Sequence, residues 1–267
     1  MRNLIFANIT RLKKSKLFWT GVILSALYTV FLLIMNYLEM TGSAEITEVS
    51  LNWFFFSAIS VSTIFCPIYS GFFVGTEYND GTIRNKLIAG HERSNIYLAN
   101  GLTIFNVEIL LFLVSAAIII ILGIPMFGLT IEYPLRFILY LLAGMFMLAE
   151  FASLFTMVST IISNKTSSVS ACLIIYAVLY IITNYLRIAV FSYYGAEVVS
   201  SGIYNEVTKF IFEFLYDFLP TGQSLQISSG FILHPYSFFF YSILNIMLTT
   251  VGAVKIYAQN CLQAPAE

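Results

Sequence analysis

Charge is what this sequence has least of. Of 267 residues only 10% are Asp, Glu, Lys or Arg, against 59% that are hydrophobic, whereas a soluble domain is about one-quarter charged. A chain so poor in charge cannot cover itself with polar surface, so its solvent is a lipid bilayer. The charges present nearly cancel, at a net of -1, which excludes a broad basic footprint for nucleic acid. Cysteine is scarce: Cys66 and Cys172 lie in apolar runs and Cys261 in the tail, so no disulfide framework is implied. No Cys/His cluster has zinc spacing, and His91 and His234 fall on opposite sides of the membrane in the threading below. No Gly-x-x-x-x-Gly-Lys-Ser/Thr loop occurs, so ATP hydrolysis is not expected of this chain. Internal repeats and low-complexity tracts are absent as well.

What is there is a series of long apolar runs. Spans are expected at about 17–38, 51–74, 96–122, 135–162, 169–190 and 235–257, each near the roughly 20 residues that cross a bilayer. The first is too long for the roughly 7–15-residue core of a cleaved signal peptide, so it is expected to remain as a span. Residues 1–16 before it form a basic amphipathic helix, with Leu4, Ile5, Ile9 and Leu12 on one stripe and Arg2, Arg11, Lys13, Lys14 and Lys16 supplying charge; such a helix lies in the headgroup plane. A short acidic loop with Glu39, Glu45 and Glu48 follows the first span. The Trp53-Phe54-Phe55-Phe56 start of the second span suits an interfacial aromatic belt, and Pro67 inside it invites a kink. Gly123, Pro125 and Gly128 mark the turn after the third span, and Asn164 to Ser167 the turn after the fourth. Threading six spans from residue 1 puts ten basic residues on the side of the N-terminus and three, Arg136, Arg187 and Lys209, on the other. That bias places both termini in the cytoplasm. The fold class is therefore an all-α membrane protein in a single transmembrane domain.

One charged stretch, Gly75 to Ser94, interrupts the apolar pattern. Asp80 can cap a short helix and Gly90 can stop it, giving a helix over about 79–90 with Ile83, Leu87 and Ile88 on one face and Arg84, Asn85 and Lys86 around the rest. Periodicity alone leaves two readings open: a docking element for a partner, or a solvated loop that turns the chain. Between the fifth and sixth spans a second amphipathic helix is expected over 203–219. Ile203, Val207, Phe210, Ile211, Phe214, Leu215 and Phe218 share one face, and Glu206, Lys209, Glu213 and Asp217 the other. Pro220-Thr221-Gly222 breaks it.

Gly75, Glu77, Gly81, Thr82, Ile83 and Leu87 resemble the first cytoplasmic loop of ABC type 2 exporter permeases. Ser94-Asn95 and Asn100 stand where that family often has Ser-Arg and a Lys. Phe218-Leu219-Pro220-Thr221-Gly222-Gln223 resembles the Leu-Pro-x-Gly segment before the last span of these permeases. The resemblance implies that 79–90 is a coupling helix seated on a separate ATP-binding subunit, which holds ATP and Mg. Glu77, Gly81, Thr82, Ile83, Arg84, Lys86, Leu87 and Ile88 would form that docking element, with Glu77 tying the second span to it. It implies too that Phe214, Phe218, Pro220 and Gly222 belong to a re-entrant outer lid; the bland alternative is a helix that shields the outer ends of the bundle. A second permease copy or a paralogue would complete the pathway, in a bacterial inner membrane. Export of an amphipathic peptide, an antibiotic or a lipid-like compound, or immunity to one, is what the resemblance favours.

Two carboxylates stand inside spans, Glu108 in the third and Glu150 in the fourth, each about 12 residues from the cytoplasmic end. A charged acid at a helix centre costs roughly 2.5–3.5 kcal/mol on insertion scales, so neither is expected to face lipid. They suit a polar patch on a translocation path, or interhelical bonding to Asn106, Thr103, Ser153 or a backbone carbonyl. The rival function they support is proton-coupled secondary transport. A membrane-embedded enzyme would need convergent catalytic groups, and two isolated Glu residues are a poor set.

Overall fold

The computed structural model describes residues 1–42, 49–162, 164–195 and 206–259. Glu45, Glu48, Ile203 and Cys261 lie outside the described residues. Among those described, every regular element is helical: α1 (Arg2–Lys13), α2 (Lys16–Gly42), α3 (Leu51–Asn79), α4 (Thr82–Ile88), α5 (Arg93–Ile118), α6 (Ile124–Phe127), α7 (Pro134–Ile161), α8 (Lys165–Gly195), α9 (Glu206–Phe218), α10 (Pro220–Ser229) and α11 (Pro235–Gln259). A π-helical turn, Ile119–Gly123, joins α5 to α6. Six helices are long and apolar enough to cross a membrane: α2, α3, α5 with its continuation to Phe127, α7, α8 and α11.

The bundle is built round α3, which packs against α2, α5, α7, α8 and α10. The cause is its composition. Ser57, Ala58, Ser60, Ser62, Thr63, Ser70, Gly71 and Gly75 are small and buried along it, and small residues let helices approach closely where lipid offers no hydrophobic drive to association. The approach is closest to α8: a Cβ on Gly71 would come within 2.7 Å of the Val169 Cα, and one on Gly75 within 2.8 Å of the Lys165 Cα. The other spans turn apolar side chains outward, such as Leu24, Leu27 and Phe31 on α2, Ile174 and Ile181 on α8, and Met247 and Leu248 on α11. That is the surface expected of a protein solvated by acyl chains.

Several boundaries move. The second span is longer than expected, because α3 runs without a break through Pro67 and on to Asn79. Asp80 therefore ends α3 instead of capping α4. The N-cap of α4 is Gly81 at φ 68, and no side chain caps the helix; the reversal from α3 into α4 needs a left-handed residue, which glycine supplies without a Cβ clash. Gly90, at φ 83, stops α4 as expected. Its N–H bonds to the Leu87 carbonyl at 3.0 Å and the His91 N–H to the Lys86 carbonyl at 3.2 Å, the two bonds of a Schellman motif. The turn expected from Gly123 comes later: the helix passes Gly123 and Pro125 and turns at Gly128, φ 79. Pro220 does end α9, but it also begins α10, as a proline at the first helical position can.

The Gly71 contact makes a prediction. Gly71→Val should drive α8 away from α3, at a cost of about 1–3 kcal/mol by the usual range for overpacking, read as a lower thermal unfolding midpoint in detergent. Gly42→Val, where a Cβ meets nothing within 4 Å, is the control that should leave the midpoint unchanged.

Candidate functional site

The functional geometry collects at the two ends of the bundle and at two points within it. At the end where α1 and α4 lie, Glu77 in the last turn of α3 is fully buried. Its Oε1 accepts from the Arg11 Nη1 at 2.8 Å and from the Lys86 Nζ; its Oε2 accepts from the Asn100 Nδ2 at 2.8 Å. Asn8 closes the ring: its Nδ2 donates to the Asn100 Oδ1 at 2.8 Å and to the Thr103 Oγ1 at 3.3 Å, while its Oδ1 accepts from Lys86 at 3.2 Å. Arg11 also donates to the Phe73 carbonyl and lies 4.0 Å above the Phe73 ring. One carboxylate thus joins α1, α3, α4 and α5.

This network orients α4. Thr82 donates to the Glu77 carbonyl at 3.1 Å and Ile83 is buried. Leu87 packs with Ile5 against Leu4, Ile96 and Ala99. Lys86 is held by Glu77 and Asn8, its side chain only 15% exposed. The resemblance implies a docking role for Ile83, Lys86 and Leu87; the structure turns all three side chains inward, because α1 and α5 pack on that face. The outward face is Arg84, Asn85 and Ile88, the last 78% exposed. The sequence did not place Asn8, Arg11, Asn100 or Thr103 in a network around Glu77. The one signal was that Asn8 falls with Leu4 and Leu12 on a single buried face of α1.

Inside the bundle the two carboxylates are not brought together. Glu108 on α5 is fully buried and neither of its oxygens has a hydrogen-bond partner among the described residues; its titratable neighbours are Cys66 on α3 and Tyr176 on α8. The expected bonds to Asn106, Thr103 and Ser153 do not form. Asn106 is exposed and donates to the Leu102 carbonyl at 2.7 Å, Thr103 turns to Asn8 and its own helix, and Ser153 meets Tyr97 and Thr249. Glu150 on α7 faces α11 instead, where its Oε1 accepts from the Asn245 Nδ2 at 2.7 Å.

The far end is organised by α10, a helix too short to cross a membrane and yet buried through Pro220, Thr221, Gly222, Gln223, Gln226 and Ile227. It packs against α3, α7, α8 and α9. Gly222 permits this, since a Cβ there would fall 2.0 Å from the Tyr216 carbonyl oxygen. Its polar side chains are satisfied. The Gln223 Nε2 donates to the Asp217 carbonyl at 3.1 Å, and the Gln223 Oε1 accepts from Ser242 at 2.8 Å. Asn245 bridges Glu150 to the Phe218 carbonyl at 2.8 Å. Gln226 donates to the Asp217 Oδ1 at 2.9 Å, and the Oδ2 lies 2.7 Å from the His234 Nδ1. Phe214 and Phe218 stack on each other and meet Tyr241 edge-on. The amphipathic helix α9 is inverted relative to a soluble one: Val207, Phe210 and Ile211 are exposed, while Tyr216 and Asp217 are buried.

Burial pushes the Asp217 carboxyl above its ordinary value of 3.8, with His234 and Gln226 opposing the shift. No group of three or more His, Cys, Asp or Glu that could hold a metal occurs among the described residues. No protein-family model matches the chain, and no curated protein is significantly similar to it.

Two outcomes follow from this geometry. Removing the buried carboxylate with Glu77→Ala strands Arg11 and Lys86, which should cost about 3–5 kcal/mol, the range for breaking a buried pair. Hydrogen exchange of α1 and α4 should rise together, while Glu92→Ala leaves both unchanged. Asp217, whose folded pKa lies above the unfolded one, contributes most stability at low pH; that contribution is lost as pH rises from 3.8 through the folded value. Exchange of 206–229 should therefore increase over that window, and Asp217→Asn should flatten the dependence.

Proposed function

We propose that this chain is the membrane-spanning permease subunit of an ATP-driven exporter of the ABC type 2 kind, and that α4 docks on a separate ATP-binding subunit. The observation that carries the reading is the Glu77 network: a two-turn helix, held by a buried carboxylate to the most buried span, with Arg84, Asn85 and Ile88 left outward. A helix so fastened moves as one body with α3, so a force on its outward face reaches the centre of the bundle. The ten-to-three distribution of basic residues favours placing α4 in the cytoplasm, where such a partner works. The buried α10, with α9 beside it, serves as the outer closure of the pathway. A second copy or a paralogue supplies the other half, and ATP and Mg stay with the partner. The apolar, aromatic surface fits an amphipathic peptide, antibiotic or lipid-like cargo in a bacterial inner membrane.

One observation favours a second reading. The unpartnered carboxyl of Glu108 suits a proton site in a secondary transporter. The two readings separate in one experiment. Ile88→Asp with Arg84→Glu should leave insertion intact, abolish co-purification of a P-loop ATPase and stop ATP-dependent export, while Glu108→Gln keeps both. Transport that survives the α4 changes but is lost in Glu108→Gln would overturn the exporter reading in favour of proton coupling.

A further inference from the structure

A crevice of about 340 Å³ opens between α7 and α11 at the α10 end of the bundle. Its lining changes character along its length. At the mouth is Arg136, in the first turn of α7, with Tyr236 of α11 almost wholly exposed beside it. Below, Leu139, Tyr140 and Ala143 form one face of α7 and Phe239 the facing wall. The Tyr140 hydroxyl is fixed by the Ile232 N–H at 3.3 Å, and Phe239 by an edge-on contact with Phe146, so the walls are held independently of any occupant. From residue 136 to residue 143 is about 10 Å along a helix axis, the reach of the first several methylenes of an acyl chain.

Arg136 is the unusual element. Its guanidinium lies 5.2 Å from the Tyr133 ring centroid, yet it makes no salt bridge within the described residues. Tyr133 itself sits at φ 47, a left-handed conformation uncommon for a residue with a side chain. A second concavity on the other side of Arg136, lined by Asn52, Trp53 and Glu132, shares Arg136, Tyr140 and Gly230 with the first. The guanidinium therefore stands at a junction between two recesses, of which the one lined by Asn52 and Glu132 is the more polar. Guanidinium groups pair bidentately with phosphate oxygens.

We infer that the α7–α11 crevice is a binding site for an anionic phospholipid of the surrounding bilayer, its phosphate on Arg136 and the start of one acyl chain along Leu139, Ala143 and Phe239. The apolar slot distinguishes this from capture of free phosphate, and the cation distinguishes it from general lipid contact. The site lies between α7 and α11, away from α4, so it holds whether or not the transport reading does.

Native mass spectrometry of the detergent-purified full chain, titrated with phosphatidylglycerol or phosphatidylcholine, tests this. The wild type should retain phosphatidylglycerol in preference, and Arg136→Gln should lower that retention about tenfold, equivalent to about 1.4 kcal/mol, with Arg136→Lys recovering part of it. Leu139→Trp, which fills the slot and keeps the guanidinium, should lose the lipid too. Both positions are exposed, so the variants should keep the wild-type unfolding midpoint. Lysophosphatidylglycerol should compete and inorganic phosphate should not. Equal retention of the two lipids, retention unaltered in Arg136→Gln, or displacement by inorganic phosphate would overturn the assignment.

Discussion

The structure depends on one carboxylate kept from water. Glu77 stands at the last turn of the most buried span, and its two oxygens hold the side chains of three other helices. Two cations on one acid leave a local excess of positive charge, which Asn8 and Asn100 spread by hydrogen bonding in a closed ring. A buried ion pair is weak evidence for stability, since desolvation offsets much of the attraction. What it supplies is a geometric condition: α1, α4 and α5 must all be in place before Glu77 is satisfied. The short helix α4 is otherwise held by Ile83, by Leu87 and by the Thr82 bond to the Glu77 carbonyl, being two turns long and capped at its start only by a glycine.

The opposite end is held largely by amide side chains gathered round Asp217. Here α10 brings Gln223 and Gln226 into the bundle, and each polar side chain finds a named partner on α9 or α11. Buried polar networks are tolerated when every member is satisfied. Where this fails, at Glu108, the buried acid makes no hydrogen bond from either oxygen among the described residues and has Cys66 and Tyr176 as its titratable neighbours. The two ends differ in how they respond to conditions, since the first is ionic and the second joins a titrating carboxyl to an exposed histidine.

The six spans were legible in the sequence because the bilayer imposes length and hydropathy together, and the helices found begin within four residues of the spans expected. The breaks were legible where glycine had to take a positive φ, as at Gly90. Asp80 misled because a good capping residue stood one position before the glycine that the reversal requires. The facing of α4 was hidden, because Ile83, Leu87 and Ile88 look alike in a helical pattern and only the presence of α1 decides which are covered. The existence of α10 was signalled by Pro220 at its start and Gly230 after its end, yet its polar composition read as a break between apolar runs. Glu77 was visible as a residue of interest; its partners Arg11 and Asn100 lie 66 and 23 positions away, distances at which no local pattern operates.

The two glycines that bracket α4 give the helix a phase as well as a position. Between Gly81 and Gly90 the chain has room for two turns, and successive residues advance about 100° around the axis. Adding or deleting one residue there leaves composition, hydropathy and both left-handed turns intact, but rotates the outward triad away from where it now points and carries Lys86 off Glu77. In this protein the register of a two-turn helix, more than the identity of any single residue on it, determines which surface the bundle shows at that end.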